Sequence, residues 1–81
     1  MEKEEILAQV QDIFRDVLDN EDIEINFDTV ADDIDEWDSL SHIQLVVGIE
    51  KHFGLKFTSQ QIIGWSNVGA MCDDIVARGK W

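Results

Sequence analysis

Between residues 4 and 18, Ile6, Val10, Ile13, Phe14 and Val17 recur at offsets 0, 4, 7, 8 and 11, which is one face of an α-helix. Leu7 and Leu18 widen that face, while Glu4, Glu5, Gln9, Asp12 and Asp16 fill the solvated side. Asn20 is the expected stop, because asparagine tolerates the left-handed conformation that ends helices. Helical spacing returns over 39–53, where Leu40, Ile43 and Val47 share one side and Leu45, Val46 and Ile49 lie close by, so the apolar arc is wide. Gly54 is placed to end this helix, and Gly48 inside it points to close packing, since a mid-helix glycine otherwise costs about 1 kcal/mol relative to alanine.

Thr58-Ser59-Gln60-Gln61 has the form of a capping box, which predicts a short helix ending by Gly64. Ser66 or Asn67 then caps a last helix whose Val68, Met71, Cys72 and Ile75 fall at offsets 0, 3, 4 and 7, with Arg78 and Gly79 at its end. Between the first two helices, residues 19–37 show no sustained period but carry Ile23, Ile25, Phe27, Val30, Ile34 and Trp37 as apolar anchors. Structureless connections beyond about 12–15 residues are uncommon and tend to be functional. No strand alternation persists, so the expected fold class is all-α: three main helices plus one short helix, with a long loop between the first and second.

At 81 residues the chain is expected to form one domain, 1–81, near the lower size limit for folding without staples. Charge changes the picture of its partners. Eighteen acidic residues face six basic ones, for a net charge of −12, and fifteen of the acids fall within residues 1–38. Such a surface repels nucleic acid and anionic membrane and favours partners with basic patches. The single cysteine excludes an internal disulfide and fits a reducing, cytoplasmic setting; the acidic N-terminus resembles no targeting signal, and no apolar stretch reaches the roughly 20 residues of a membrane helix.

Asp38-Ser39-Leu40 opens the second helix directly after the acidic loop. From the residues alone, either Asp38 or Ser39 can cap that helix, and Leu40 can be core or surface. The segment from Asp35 to Phe57, with helix order, loop lengths and total length, resembles the acyl carrier protein family, in which Asp-Ser-Leu opens an amphipathic helix. That resemblance implies that Ser39 accepts 4′-phosphopantetheine from coenzyme A through a phosphopantetheinyl transferase, with Asp38 assisting, and that the arm then carries acyl groups as thioesters. It further implies docking of acyl-transferring or acyl-activating enzymes on Leu40, Ile43, Val47 and Glu50, and an acyl pocket near Phe57, Trp65, Val68 and Cys72. The implied protein is a monomer without catalytic activity of its own. The cargo could equally be an aminoacyl group, as in peptidyl or D-alanyl carriers, and an unmodified acidic helical interaction module is the reading from outside the carriers.

Departures from the family bear on partner choice. Ser41, Gln44, Lys51 and His52 occupy positions where housekeeping fatty-acid carriers have acids, which favours a dedicated partner set in a specialised fatty acid, polyketide or related pathway. Trp37 and Trp65 stand where the family has smaller or aliphatic residues. His42, three residues after Ser39, could share its helix face, but no orienting group or oxyanion loop accompanies it, so His42 and His52 are read as exposed helix positions. Cys72 on the apolar stripe of the last helix reads as an inert buried thiol. The run Asp28, Asp32, Asp33, Asp35, Glu36, Asp38 lacks EF-hand spacing, so no metal site is expected.

Overall fold

The computed structural model describes residues 2–79; Met1, Lys80 and Trp81, the ends of the expected 1–81 domain, lie outside the described residues. Four α-helices follow in order: α1 (Lys3–Val17), α2 (Ser39–Phe53), α3 (Ser59–Gly64) and α4 (Val68–Arg78), with a single 3-10 turn at Ala31–Asp33 in the first loop. The fold class is therefore the all-helical one that the periodicity predicts. Helix α1 packs on both α2 and α4. Its Ile6, Val10 and Phe14 are fully buried against Leu45 and Ile49 of α2 and Val68, Met71, Cys72 and Ile75 of α4.

One expected stop moves by a residue. Asp19, not Asn20, adopts the left-handed conformation (φ 53°), and the N–H of Asn20 then donates to the carbonyl of Arg15 at 3.0 Å. This five-residue reach closes the helix end in the Schellman manner. The Asn20 side chain instead organises the loop, accepting from the N–H of Asp22 and donating to the Glu36 carboxylate at 2.7 Å. Gly54 ends α2 as expected, with φ 68°, and Leu55 N–H reaches back to the carbonyl of Glu50 at 3.1 Å.

The loop from Leu18 to Asp38 is pinned rather than free. Ile23, Ile25, Ile34 and Trp37 are buried, and Trp37 sets its ring edge-on against Phe14 with centroids 4.9 Å apart. Polar side chains satisfy the backbone between these anchors: Arg15 Nε donates to the carbonyl of Ile23 (2.7 Å), and Gln11 Oε1 accepts from Ile25 N–H (2.9 Å). The start of α4 is joined to this loop through its free N–H groups, which every helix leaves at its first turn. Val68 N–H donates to Thr29 O at 2.8 Å and Gly69 N–H to Phe27 O at 2.7 Å, while Asn67 Oδ1 accepts from Ala70 N–H at 2.9 Å. A Cβ on Gly69 would stand 2.7 Å from the Phe27 carbonyl oxygen, so this seam requires a residue with no side chain. Gly48 has the close packing expected of it, since a Cβ there would lie 3.2 Å from Ile13 Cγ2.

Candidate functional site: the start of the second helix

The chain enters α2 in an extended conformation at Asp38 (φ −122°, ψ −172°). The Asp38 carboxylate accepts from Ser41 N–H at 2.9 Å, and Ser41 Oγ accepts from Asp38 N–H at 2.7 Å. Asp38 and Ser41 thus form a reciprocal capping box. Ser41 is buried and also donates its hydroxyl proton to the carbonyl of Glu36 at 2.9 Å, which ties the box to the end of the loop. The choice between Asp38 and Ser39 as cap is settled in favour of Asp38. The partner in the box, Ser41, is read in the sequence only as a position that lacks an acid and not as a cap, although a polar residue three positions after an aspartate is the available signal. Hydrogen bonding with Ser41, led by its backbone N–H, holds the Asp38 carboxyl below its ordinary value of 3.8.

Because Asp38 and Ser41 make the cap, the hydroxyl of Ser39 is not spent on it, and Ser39 is exposed at the first helical position. An open groove of about 550 Å³ runs beside it between α2 and α3. Trp37, Asp38, Ser39, His42 and Ile43 line it together with Ile62, Ile63 and Trp65, and loop residues 30–32 and 66–67 complete it.

The wide apolar arc of α2 divides into two faces. Leu45, Val46 and Ile49 enter the core, while Leu40 (71% exposed), Ile43 (54%) and Val47 (42%) stay outside on the side that continues from Ser39. Ile63 of α3, 83% exposed, joins that outer face across the groove and had no marker in the sequence beyond its place in a short helix. Glu50 is half-buried, and its carboxylate accepts from Phe57 N–H at 2.9 Å, so it braces the turn between α2 and α3. Of the expected pocket residues, Trp65 forms groove wall and Phe57 packs edge-on behind it at 4.9 Å. Val68 and Cys72 are fully buried and are not groove walls. Burial pushes the Cys72 thiol up to about 11.

His42 departs from the reading as an exposed position. It is half-buried, its ring stacked on Trp37 (5.9 Å, 20°) and met edge-on by Trp65 (5.9 Å, 75°). Trp37 Nε1 donates to His42 Nδ1 at 3.1 Å, and His42 Nε2 lies 3.2 Å from the carbonyl of Ile62. His52 is exposed, as read, and bonds Gln9 Oε1 of α1 at 2.7 Å. Among the described residues, no group of three or more His, Cys, Asp or Glu is gathered as a metal ion needs, and no helix is long and apolar enough to cross a membrane.

One hydroxyl is held out to solvent at a helix start, and the nearest imidazole has both nitrogens engaged elsewhere, so it is not free to take a proton from that hydroxyl. An exposed serine with a groove at its side fits a long flexible group esterified there. The comparisons with known proteins agree with this class. Residues 8–75 match the family described as "Phosphopantetheine attachment site". The fold is similar to the solution structure of a holo acyl carrier protein from Geobacter metallireducens, with a TM-score of 0.83 and 39% identity, covering 89% of this chain and 83% of that one. No curated protein matches by sequence. The chain belongs to the acyl carrier protein family, and its prosthetic group is 4′-phosphopantetheine.

Proposed function

We propose that Ser39 carries the phosphopantetheine arm and that the chain is a substrate shuttle with no catalysis of its own, serving a dedicated set of acyl-handling enzymes in a specialised fatty acid, polyketide or related pathway. The arm supplies a terminal thiol on which acyl groups ride as thioesters. The observation that carries this reading is the division of labour at the start of α2: Asp38 and Ser41 make the cap, and Ser39 presents its hydroxyl beside the groove. A phosphodiester at this position would also sit at the positive end of a 15-residue helix.

Leu40, Ile43 and Val47 supply a contiguous apolar patch next to Ser39 for the phosphopantetheinyl transferase and later enzymes. Ser41 is buried and bonded and so offers no contact; Gln44 and Lys51, both exposed, put neutral and basic groups on the polar border of the patch beyond Asp38. That border argues for partners other than those that read an acidic helix, because several rim charges together steer encounter and exclude wrong partners. Glu50 contributes indirectly, through the turn it braces.

Incubation with coenzyme A, magnesium and a broad-specificity phosphopantetheinyl transferase should add one phosphopantetheine, read by intact mass. Ser39→Ala should remove the gain and leave the helical circular dichroism unchanged, since the cap does not depend on Ser39. Modification of the Ser39→Ala protein would overturn the assignment.

A further inference from the structure

Helix α3 presents an unusual mechanical situation. None of its six residues is buried, and Ile63 faces solvent, so hydrophobic burial contributes little to holding it in place. The attachments made by its own six residues are few. Thr58 and Gln61 cap it from within, which fixes its shape and not its position. Its flanks are anchored, since Phe57 and Trp65 pack against the core and Phe57 N–H bonds Glu50, and α3 itself is tied to α2 by a bridge in which the indole of Trp37, the imidazole of His42 and the carbonyl of Ile62 form a hydrogen-bonded line from the loop through α2 to α3.

The chemistry of the two outer partners decides how the imidazole is protonated. An indole Nε1 only donates and a carbonyl oxygen only accepts. Nδ1 of His42 must therefore be bare and Nε2 must carry the hydrogen. Stacking on Trp37 and the edge contact from Trp65 hold the ring in that orientation. An aliphatic residue at this position would fill the space but make neither bond.

We infer that His42 is a positioning residue: it latches α3 to the body of the bundle and closes the floor of the groove beside Ser39, keeping the groove separate from the core. Trp37, His42 and Trp65 line the groove together with loop residues as far as Asn67, while Val68 and Cys72 are fully buried and lie outside its lining. It follows, resting on the reading of Ser39 as the attachment point, that cargo on the arm lies in the aromatic mouth of the groove and enters the core only when the latch opens.

The unmodified protein tests the latch without any arm. Nitrogen-15 shifts of the His42 ring should report the Nε2–H tautomer. In His42→Phe, which keeps an aromatic ring and loses both bonds, amide exchange over 59–64 should accelerate about tenfold, with exchange in α1 and α4 unchanged. His42→Gln, which supplies both an acceptor and a donor, should recover part of that protection. An Nδ1–H tautomer, or unchanged exchange over 59–64 in a folded His42→Phe protein, would overturn the proposal. A second arm uses octanoyl-coenzyme A and the transferase. The loaded protein should leave the amide signals of Val68 and Cys72 in place, and loaded His42→Ala should move them; equal movement in both would show that the latch does not separate groove from core. Failure of loading itself counts against Ser39 alone, since the exchange experiment has no need of the arm.

Discussion

Helices α3 and α4 both begin on a side-chain cap, Thr58 in one and Asn67 in the other, yet different forces hold them in place. In α4, Val68, Met71, Cys72 and Ile75 are fully buried, and the first N–H groups bond the loop carbonyls of Phe27 and Thr29. In α3 no residue is buried; its Ile62 carbonyl meets His42 of α2, and only the flanking Phe57 and Trp65 pack against the core. The stable helix thus belongs to the core, and the loosely held one forms a wall of the groove beside Ser39. Segments with few buried apolar contacts are those that open most readily.

Three substitutions probe this contrast, and the largest effect is expected at the seam of α4. Gly69→Ala would drive a Cβ to within 2.7 Å of the Phe27 carbonyl oxygen, a backbone atom that moves only if the loop moves. Overpacking of this kind costs about 1–3 kcal/mol, so urea unfolding should show a lower midpoint with an unchanged slope. A midpoint equal to that of the parent protein would mean that the loop yields freely and that α4 is less firmly seated than argued.

The cap of α2 should matter less and should depend on pH. Asp38→Ala removes the acceptor for Ser41 N–H, so the first turn of α2 loses its side-chain cap and the protein loses stability. The sign follows from the depressed carboxyl. The folded state holds Asp38 below its ordinary 3.8, so its contribution is present above that value and disappears as pH falls through the lower, folded value. Melting temperatures of parent and Asp38→Ala should therefore differ at neutral pH and converge in strong acid. A constant gap across that range would show that the bond does not depend on the charge.

The smallest effect is expected on α3. Ile63→Ser removes an exposed side chain from a helix with no fully buried residue, and stability should change by no more than about 0.5 kcal/mol. A loss of several times that amount in thermal melts would show that α3 is held by burial after all and would erase the contrast with α4.

Helix positions were legible in the sequence because periodicity and caps are local properties. The offsets of Ile6, Val10 and Phe14 and of Val68, Met71, Cys72 and Ile75 mark the residues that the fold buries completely, and Thr58, Gln61, Asn67 and Gly54 end or begin helices as their chemistry suggests. Ser39 was legible in the same way, as a serine at a helix start within a family signature. The shift of the first helix stop from Asn20 to Asp19 is small, because both residue types tolerate the left-handed conformation and local sequence does not separate them.

Tertiary structure alone decided the rest. On an α2 with an apolar arc this wide, the sequence does not say that Leu45, Val46 and Ile49 face inward while Leu40, Ile43 and Val47 face out; the packing of α1 does. Gly69 looks like any glycine in a helix until the Phe27 carbonyl is placed against it, forty-two positions earlier in the chain. His42 read as an exposed position because nothing local to it names Trp37 Nε1 and the Ile62 carbonyl as partners. The sequence by itself determined what each short segment would become, since capping and periodicity act over a few residues. Which groups from distant segments meet depends on how the segments pack, and that placed the walls of the groove beside Ser39.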